Sequence, residues 1–300
     1  MDSVPYNFCN DVAGTIAAVH GLNEGLASAD HPGIVLWKTP LQKEATNRKH
    51  FQLFIGFRYG NWSYGFEKFE EHPLPLNFSY LKRVKPRYLQ IRSVSFKSTQ
   101  QRHSSNRREI EEIINYIAPF VNLAWLEVEK NEIDEGDLSA MLGYFRNVQF
   151  HRIRFDHHRS AYEKFLQRYL RLTFLYELTI CGNGWSAESQ DEINKSAING
   201  QIRFIICNET NLVSDLAFFE RFSEIRPLKH RQSFQSVGSF TLEELKQCKQ
   251  GWRVSLFGSK SIEWQRVDGV VVRAETSDDK IWTLSLRPRM NWFVNRSDSL

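Results

Sequence analysis

The chain has 300 residues, 41% of them apolar and 13% aromatic, and a net charge of +4 from 39 basic and 35 acidic side chains. That length and apolar content suffice to bury a sizeable core, which excludes an intrinsically disordered chain. No window approaches the roughly 18 uninterrupted apolar residues of a membrane span, and four scattered cysteines without a C-x-x-C pair exclude a disulfide framework and a zinc finger.

In chain order, residues 1–50 permit a helix but are broken by Gly21, Gly25, Pro32, Gly33 and Pro40. Val12, Ile16 and Val19 follow helical spacing behind the cap candidates Asn10 and Asp11, which predicts one short amphipathic helix. The first residues have an acid near the start and no basic region, so they do not read as a signal peptide. An intracellular location, cytoplasmic or nuclear, is the expectation. Residues 51–80 then alternate in period two: Phe51, Leu53, Ile55, Phe57 and Tyr59 on one face, Trp62, Tyr64 and Phe66 after a break at Gly60-Asn61. This predicts a β-hairpin with Gly60-Asn61 as its turn and an aromatic face that needs covering.

Residues 81–238 carry a repeat. The pattern L-x-x-L-x-L-x-x-N fits Leu123, Leu126, Val128 and Asn131, and again Leu175, Leu178, Ile180 and Asn183. Looser copies run through Ile91, Val94 and Phe96, through Phe150, Ile153 and Phe155, and through Phe204 and Ile206. The second apolar positions, Val94, Leu126, Ile153, Leu178 and Phe204, are 32, 27, 25 and 26 residues apart. Helical stripes lie between them: Ile110, Ile113, Ile114 and Ile117; Leu138, Met141, Leu142 and Phe145; Tyr162, Phe165, Leu166 and Tyr169; and Leu212, Leu216, Phe219 and Phe222. A strand-and-helix unit of this size cannot bury its own apolar face, so stacking neighbours makes the core. The same alternation also suits a plain layered α/β domain.

Residues 239–300 open with a capping box, Thr241-Leu-Glu-Glu244, and continue in short strand-like runs separated by turn residues. They predict a short helix and an antiparallel meander closing the open end of the repeat. The fold class expected is therefore α/β: an irregular leucine-rich-repeat-like β-α solenoid arc with an N-terminal helical and hairpin cap and a C-terminal antiparallel meander.

Catalytic patterns are missing from the sequence. There is no G-x-S-x-G, P-loop or dinucleotide fingerprint, Cys9 has no orienting base nearby, and His151, Asp156, His157 and His158 lack ligand spacing. The expectation is a protein that is not an enzyme and takes no metal or cofactor. Its binding surface is the strand face, where Glu127, Glu129, Arg152, Arg154, Glu177 and Thr179 alternate with buried positions and their mixed charge suits a protein partner. From Lys82 to Arg108 nine basic residues occur with no acid, including Arg92, Lys97, Arg102, Arg107 and Arg108. That stripe supplies the alternative reading, a nucleic-acid-associated protein.

Val4-Pro5, Phe8, Val12, Ile16 and Trp37-Lys38 form an apolar-proline start, helical apolar positions and a closing Trp-Lys, and in this the segment resembles a shortened F-box. With the repeats and β-rich tail that follow, the layout is similar to the divergent F-box-like, leucine-rich-repeat-like proteins expanded in nematodes. The resemblance implies that Val4, Pro5, Phe8, Val12, Ile16 and Trp37 dock on a Skp1-type adaptor of a cullin ubiquitin ligase while the repeat face recruits a protein substrate. The alternative is that these residues cap the hydrophobic end of the first repeat.

Overall fold

Period-two apolar alternation organises the first elements of the computed structural model, which describes residues 40, 42–43, 46–68, 75–97, 103–171, 175–225, 231–248, 253–256, 260–276 and 280–288. The adaptor-docking residues Val4, Pro5, Phe8, Val12, Ile16 and Trp37, the helix predicted around them and Arg102 lie outside the described residues. The protein is α/β with mixed parallel and antiparallel strands, and it divides into two compact units between Arg154 and Phe155.

In the first unit, β1 (Lys49–Arg58) and β2 (Asn61–Lys68) form the expected hairpin. Its turn is Tyr59-Gly60, one residue earlier than Gly60-Asn61, because Asn61 already pairs with Arg58. Both turn residues have positive φ, 51° and 78°, as a mirror-image two-residue turn requires for strands of right-handed twist. Tyr59, expected among the inward aromatics, is 75% exposed instead. Its backbone N–H donates to Glu132 Oε2 at 3.0 Å, and the Arg58 guanidinium lies 4.8 Å from its ring centre.

Next come α1 (Phe78–Lys82), β3 (Leu89–Phe96), β4 (His103–Ser105), α2 (Arg107–Ile117), β5 (Val121–Val128) and α3 (Glu135–Tyr144). Strands β1, β3 and β5 are parallel neighbours, and β2 and β4 continue the sheet antiparallel beyond β1. Leu53, Val94 and Leu126 share one row across the parallel strands, and Ile55, Phe96 and Val128 share the next. All six are buried, as are Ile110, Ile113, Ile114 and Ile117 of α2. Asn106 starts α2 by accepting from Glu109 N, and Asp134 starts α3 by accepting from Gly136 N and Asp137 N.

Leu123, the expected first apolar position of its repeat, leaves the strand pattern. It is half-buried with φ at 50°, a conformation that crowds an L side chain, and its N–H donates to Gln149 O at 2.7 Å. Asn131 accepts from Ile133 N and donates to Glu129 O, serving backbone groups of the turn after β5.

β6 (Phe150–Phe155) reaches the division between the units. The second unit contains α4 (Ser160–Leu170), β7 (Leu175–Cys181), α5 (Ala187–Ile198), β8 (Ile202–Asn208), β9 (Val213–Ser214), α6 (Leu216–Glu224), β10 (Gln232–Gly238) and α7 (Leu242–Cys248). β7, β8 and β10 are parallel neighbours with Leu178, Ile205 and Phe234 in one row. The register of β8 therefore differs by one residue from the sequence expectation: Ile202, Ile205 and Cys207 are buried while Phe204 and Ile206 are half-buried on the other face. A run with apolar residues at both parities leaves the choice to the partner strand, where Leu175 pairs with Ile202. Helix α5 was not expected; Ile193 and Ala197 are its only buried apolar residues, too few for a readable stripe.

The meander consists of β11 (Arg253–Leu256), β12 (Ser261–Gln265), β13 (Val271–Thr276) and β14 (Ile281–Arg287). It lengthens the parallel sheet of its unit through its last strand, β14, which pairs antiparallel with β10; β13, β12 and β11 follow outward. The capping box forms at α7: Thr241 Oγ1 accepts from Glu244 N at 3.2 Å and Glu244 Oε2 accepts from Thr241 N at 2.7 Å. Arg266 closes α6 by donating to Ser223 O and Ile225 O at 3.1 and 2.7 Å.

The loop after β7 runs against the one before α4. A Cβ on Gly182, whose φ is 83°, would sit 2.9 Å from the backbone N of His158 and 3.2 Å from the His157 Cα. Gly182→Ala is expected to cost about 2 kcal/mol in urea unfolding, since both the conformation and the space are denied to alanine.

Candidate interaction surface

In the first unit one face of the strands carries the buried rows above; on the other Trp125 is exposed and Gln52 and Glu127 are half-buried, while Phe54, Ser93 and Ser95 are buried. On that second face Gln52 lies beside Ser93, and Ser93 beside Trp125; Phe54, Ser95 and Glu127 form the next row. Trp125 is 41% exposed, an unusual position for a tryptophan in a strand, and the Arg152 guanidinium lies 4.8 Å from its ring centre. Glu127 pairs with Arg154 at 3.8 Å, and Glu129 with Lys97 at 3.7 Å. The Lys97 ammonium also lies 4.7 Å from the ring of Phe54, which is buried. The structure thus brings Glu127, Glu129, Arg152 and Arg154 together on one surface and adds Trp125 and Phe54. The interleaved charges were legible from the alternation; Trp125 and Phe54 were not singled out.

The other two expected face residues belong to the second unit. Glu177 lies beside Phe204 and Thr179 beside Ile206. Thr179 is 8% exposed, so it is not the exposed contact that alternation predicted; its strand is flanked on that side by larger neighbours. Sequence reasoning also missed Arg203, whose guanidinium lies 5.0 Å from the Tyr176 ring centre and 5.2 Å from that of Phe204. An arginine over strand aromatics therefore recurs in both units, over the exposed Trp125 in the first and the half-buried Tyr176 and Phe204 in the second.

The described residues of the basic stripe are divided between elements. Arg92 and Lys97 belong to β3 and its exit, while Arg107 and Arg108 stand on the first turn of α2. Arg107 is held by Glu111 at 3.0 Å and Asp137 at 2.6 Å, and Lys82 by Glu112 at 3.0 Å. A different basic grouping appears where β1 and β3 begin. Burial, then the charges of Arg92 and Arg48, holds the His50 imidazole down to about 4. Burial and the charge of Arg48 likewise lower the pKa of Arg92. The 42 residues separating His50 from Arg92 in sequence hid this grouping, which exists only through parallel pairing of β1 with β3.

His158 Nε2 lies 2.9 Å from Glu163 Oε1, and the His157 ring meets Tyr162 at 5.4 Å between centres. Among the described residues no three His, Cys, Asp or Glu are grouped to hold a metal ion, and no described helix is long and apolar enough to cross a membrane. Burial, then the neighbouring Cys181, pushes the Cys207 thiol far up, which keeps it protonated and unreactive. Comparison with family models, with curated proteins and with solved structures finds no match.

Proposed function

We propose that this chain is a non-catalytic protein-recognition scaffold of leucine-rich-repeat-like construction, with the strand surface around the exposed Trp125 in the first unit as its docking surface. The observation that carries the reading is Trp125 exposed on a strand beneath Arg152, followed along the chain by the Glu127–Arg154 and Glu129–Lys97 pairs. Tryptophan and arginine concentrate binding energy at protein interfaces, and a surrounding rim of paired charges selects the partner more than it adds affinity. The repeat reading draws support within each unit from parallel neighbours that follow one another in the chain, β3 and β5 in the first, β7, β8 and β10 in the second. Ion pairing of Lys82, Lys97 and Arg107 favours a protein partner over a nucleic acid, which needs unneutralised cations along a phosphate path. With residues 4–38 acting as an F-box-like segment, the scaffold is the substrate-recruiting subunit of a cullin-type ubiquitin ligase.

Two comparisons test this. Co-purification of a Skp1-type adaptor with the intact protein, lost in a folded Pro5→Asp, Phe8→Asp double variant, is the expected result for the adaptor arm; no adaptor with either protein would sink it. For the substrate arm, Trp125→Ala should keep the fold and weaken a partner, identified by cross-linking to the intact protein, by about tenfold or more, as central aromatic contacts do. A partner bound equally by parent and variant would move the docking surface elsewhere.

A further inference from the structure

We propose that Arg58 and Tyr59, at the tip of the hairpin of β1 and β2, form a second contact point for the recruited protein, one that takes a carboxylate side chain of that partner beside an apolar one. The tip is built at a cost to the fold. A mirror-image two-residue turn needs positive φ at both central positions, where Asn-Gly, Asp-Gly and Gly-Gly are the usual occupants. Here the first position is Tyr59 at φ 51°, a conformation that crowds a bulky L side chain. Burial does not offset the strain, because Tyr59 is 75% exposed. The strained conformation is held from outside: the Tyr59 N–H donates to Glu132 Oε2 and Asn61 Nδ2 donates to Tyr59 O, both at 3.0 Å. Backbone strain that the surroundings maintain and no core contact repays gathers at functional sites.

The two side chains are set before any partner arrives. The Arg58 guanidinium lies 4.8 Å from the Tyr59 ring centre, and its Nη2 donates to the Tyr59 hydroxyl at 3.0 Å. Among the described residues no carboxylate pairs with Arg58; Glu132, the acid at the tip, accepts from the Tyr59 backbone instead. A guanidinium stacked on a phenol keeps most of its donors for a bidentate partner, and a carboxylate fits that fork. The exposed ring offers rigid apolar area at little entropy cost, and tyrosine and arginine both concentrate binding energy at interfaces. The Glu132 charge repels a phosphate dianion or a polyanion more than a single carboxylate, which narrows the occupant to an acidic side chain. The tip also continues the surface around Trp125. From Trp125 and Glu127 on β5 the chain passes Glu129, paired with Lys97, and reaches Glu132, which holds the tip.

That the carboxylate belongs to the recruited protein rests on the recognition reading; the strained turn and the guanidinium site do not. The first measurement needs no partner. Tyr59→Asn puts a residue at ease with positive φ at the tip and should raise the urea midpoint of the full chain by about 0.2 M or more. A lowered midpoint would mean that Tyr59 serves the fold and would overturn the proposal. The second follows the Arg58 Nε–H resonance of the full chain by NMR, assigned with Arg58→Gln, during titration with N-acetyl-Leu-Asp amide, N-acetyl-Leu-Asn amide and N-acetyl-phosphoserine amide. The aspartyl peptide should move the resonance at millimolar concentration and bind about tenfold more tightly than the asparaginyl one, since the guanidinium contact is charge-assisted. Tyr59→Asn should lose that response, because the ring holds the guanidinium in place. A resonance unmoved at tens of millimolar aspartyl peptide, or an equal shift at Arg168 on α4, would overturn the site even if Trp125→Ala still releases a protein partner. Tighter binding of the phosphoserine amide would overturn the carboxylate assignment. A cross-linked partner held equally by parent and Tyr59→Asn would overturn the tip's part in recognition and leave the surface around Trp125 standing.

Discussion

Replacing Trp264 by alanine is expected to destabilise the second unit as a whole, by about 3–5 kcal/mol. Trp264 is the largest side chain in the fully buried set, and it lies in one row with Val272 on β13 and Leu286 on β14. Phe219 of α6 covers it at 5.2 Å between ring centres, and Phe219 in turn meets Phe240. Because β14 pairs with β10, and β10 with β8, the cavity left by the indole opens in the layer that supports the parallel strands. Against a domain stability of roughly 5–15 kcal/mol, the loss is a large fraction. The indole N–H is buried without a partner, so Trp264→Phe removes an orphan donor along with some volume and should cost less than about 2 kcal/mol. Urea unfolding combined with hydrogen exchange at Leu178 and Ile205 reads the outcome. Protection retained at those amides while the meander exchanges freely would mean that residues 253–287 form a separate module, as a cap would.

What could be read from the sequence was what neighbours along the chain decide. The hairpin of β1 and β2, the four-isoleucine face of α2 and the Thr241–Glu244 capping box each rest on residues a few positions apart, and each is present. Errors arose where a distant strand makes the decision. Ile202-Arg-Phe-Ile-Ile-Cys207 is apolar at both parities, so only pairing with Leu175–Cys181 places Ile205 in the buried row and Phe204 on the opposite face. Helix α5 is stabilised by Ser186 at its start and by packing of Ile193 and Ala197, which are too sparse to mark a period. The meander was legible as four strands, yet joining it to the sheet through β14 is a nonlocal choice that no turn encodes. The same limit applies to the candidate surface: charge alternation revealed Glu127 and Arg154, while Arg48, His50 and Arg92 meet only across a parallel pair.

Glu163→Ala is expected to cost about 2–4 kcal/mol, although the residue is a carboxylate that a sequence reading would place on a solvated helix face. Its Oε1 accepts from the Ser186 backbone N–H at 2.8 Å and faces His158 Nε2 at 2.9 Å; its Oε2 accepts from Ser186 Oγ at 2.8 Å. Removing the carboxylate strands the Ser186 N–H and loosens the start of α5, the expensive side of hydrogen-bond loss. The far side of the same loop is clamped by Asn211, which accepts from Gly184 N and Trp185 N and donates to Trp185 O, and Trp185 is buried between them. Burial alone would raise the Glu163 pKa, but the bonds from Ser186 and His158 outweigh it and hold the carboxyl below its ordinary range. A depressed folded-state pKa means stability that is fully present above the unfolded value of about 4.3 and is lost as pH falls through the lower, folded value. Glu163→Gln keeps an acceptor but discards the charge and turns an amide toward donors, so it should lose part of the stability at pH 7 and show a flatter decline with acid than the parent. Denaturant midpoints at pH 7, 5 and 3.5 decide it. Equal slopes in parent and Glu163→Gln would mean that acid acts elsewhere, with His50, whose imidazole is held to about 4, as the next group to charge on the way down.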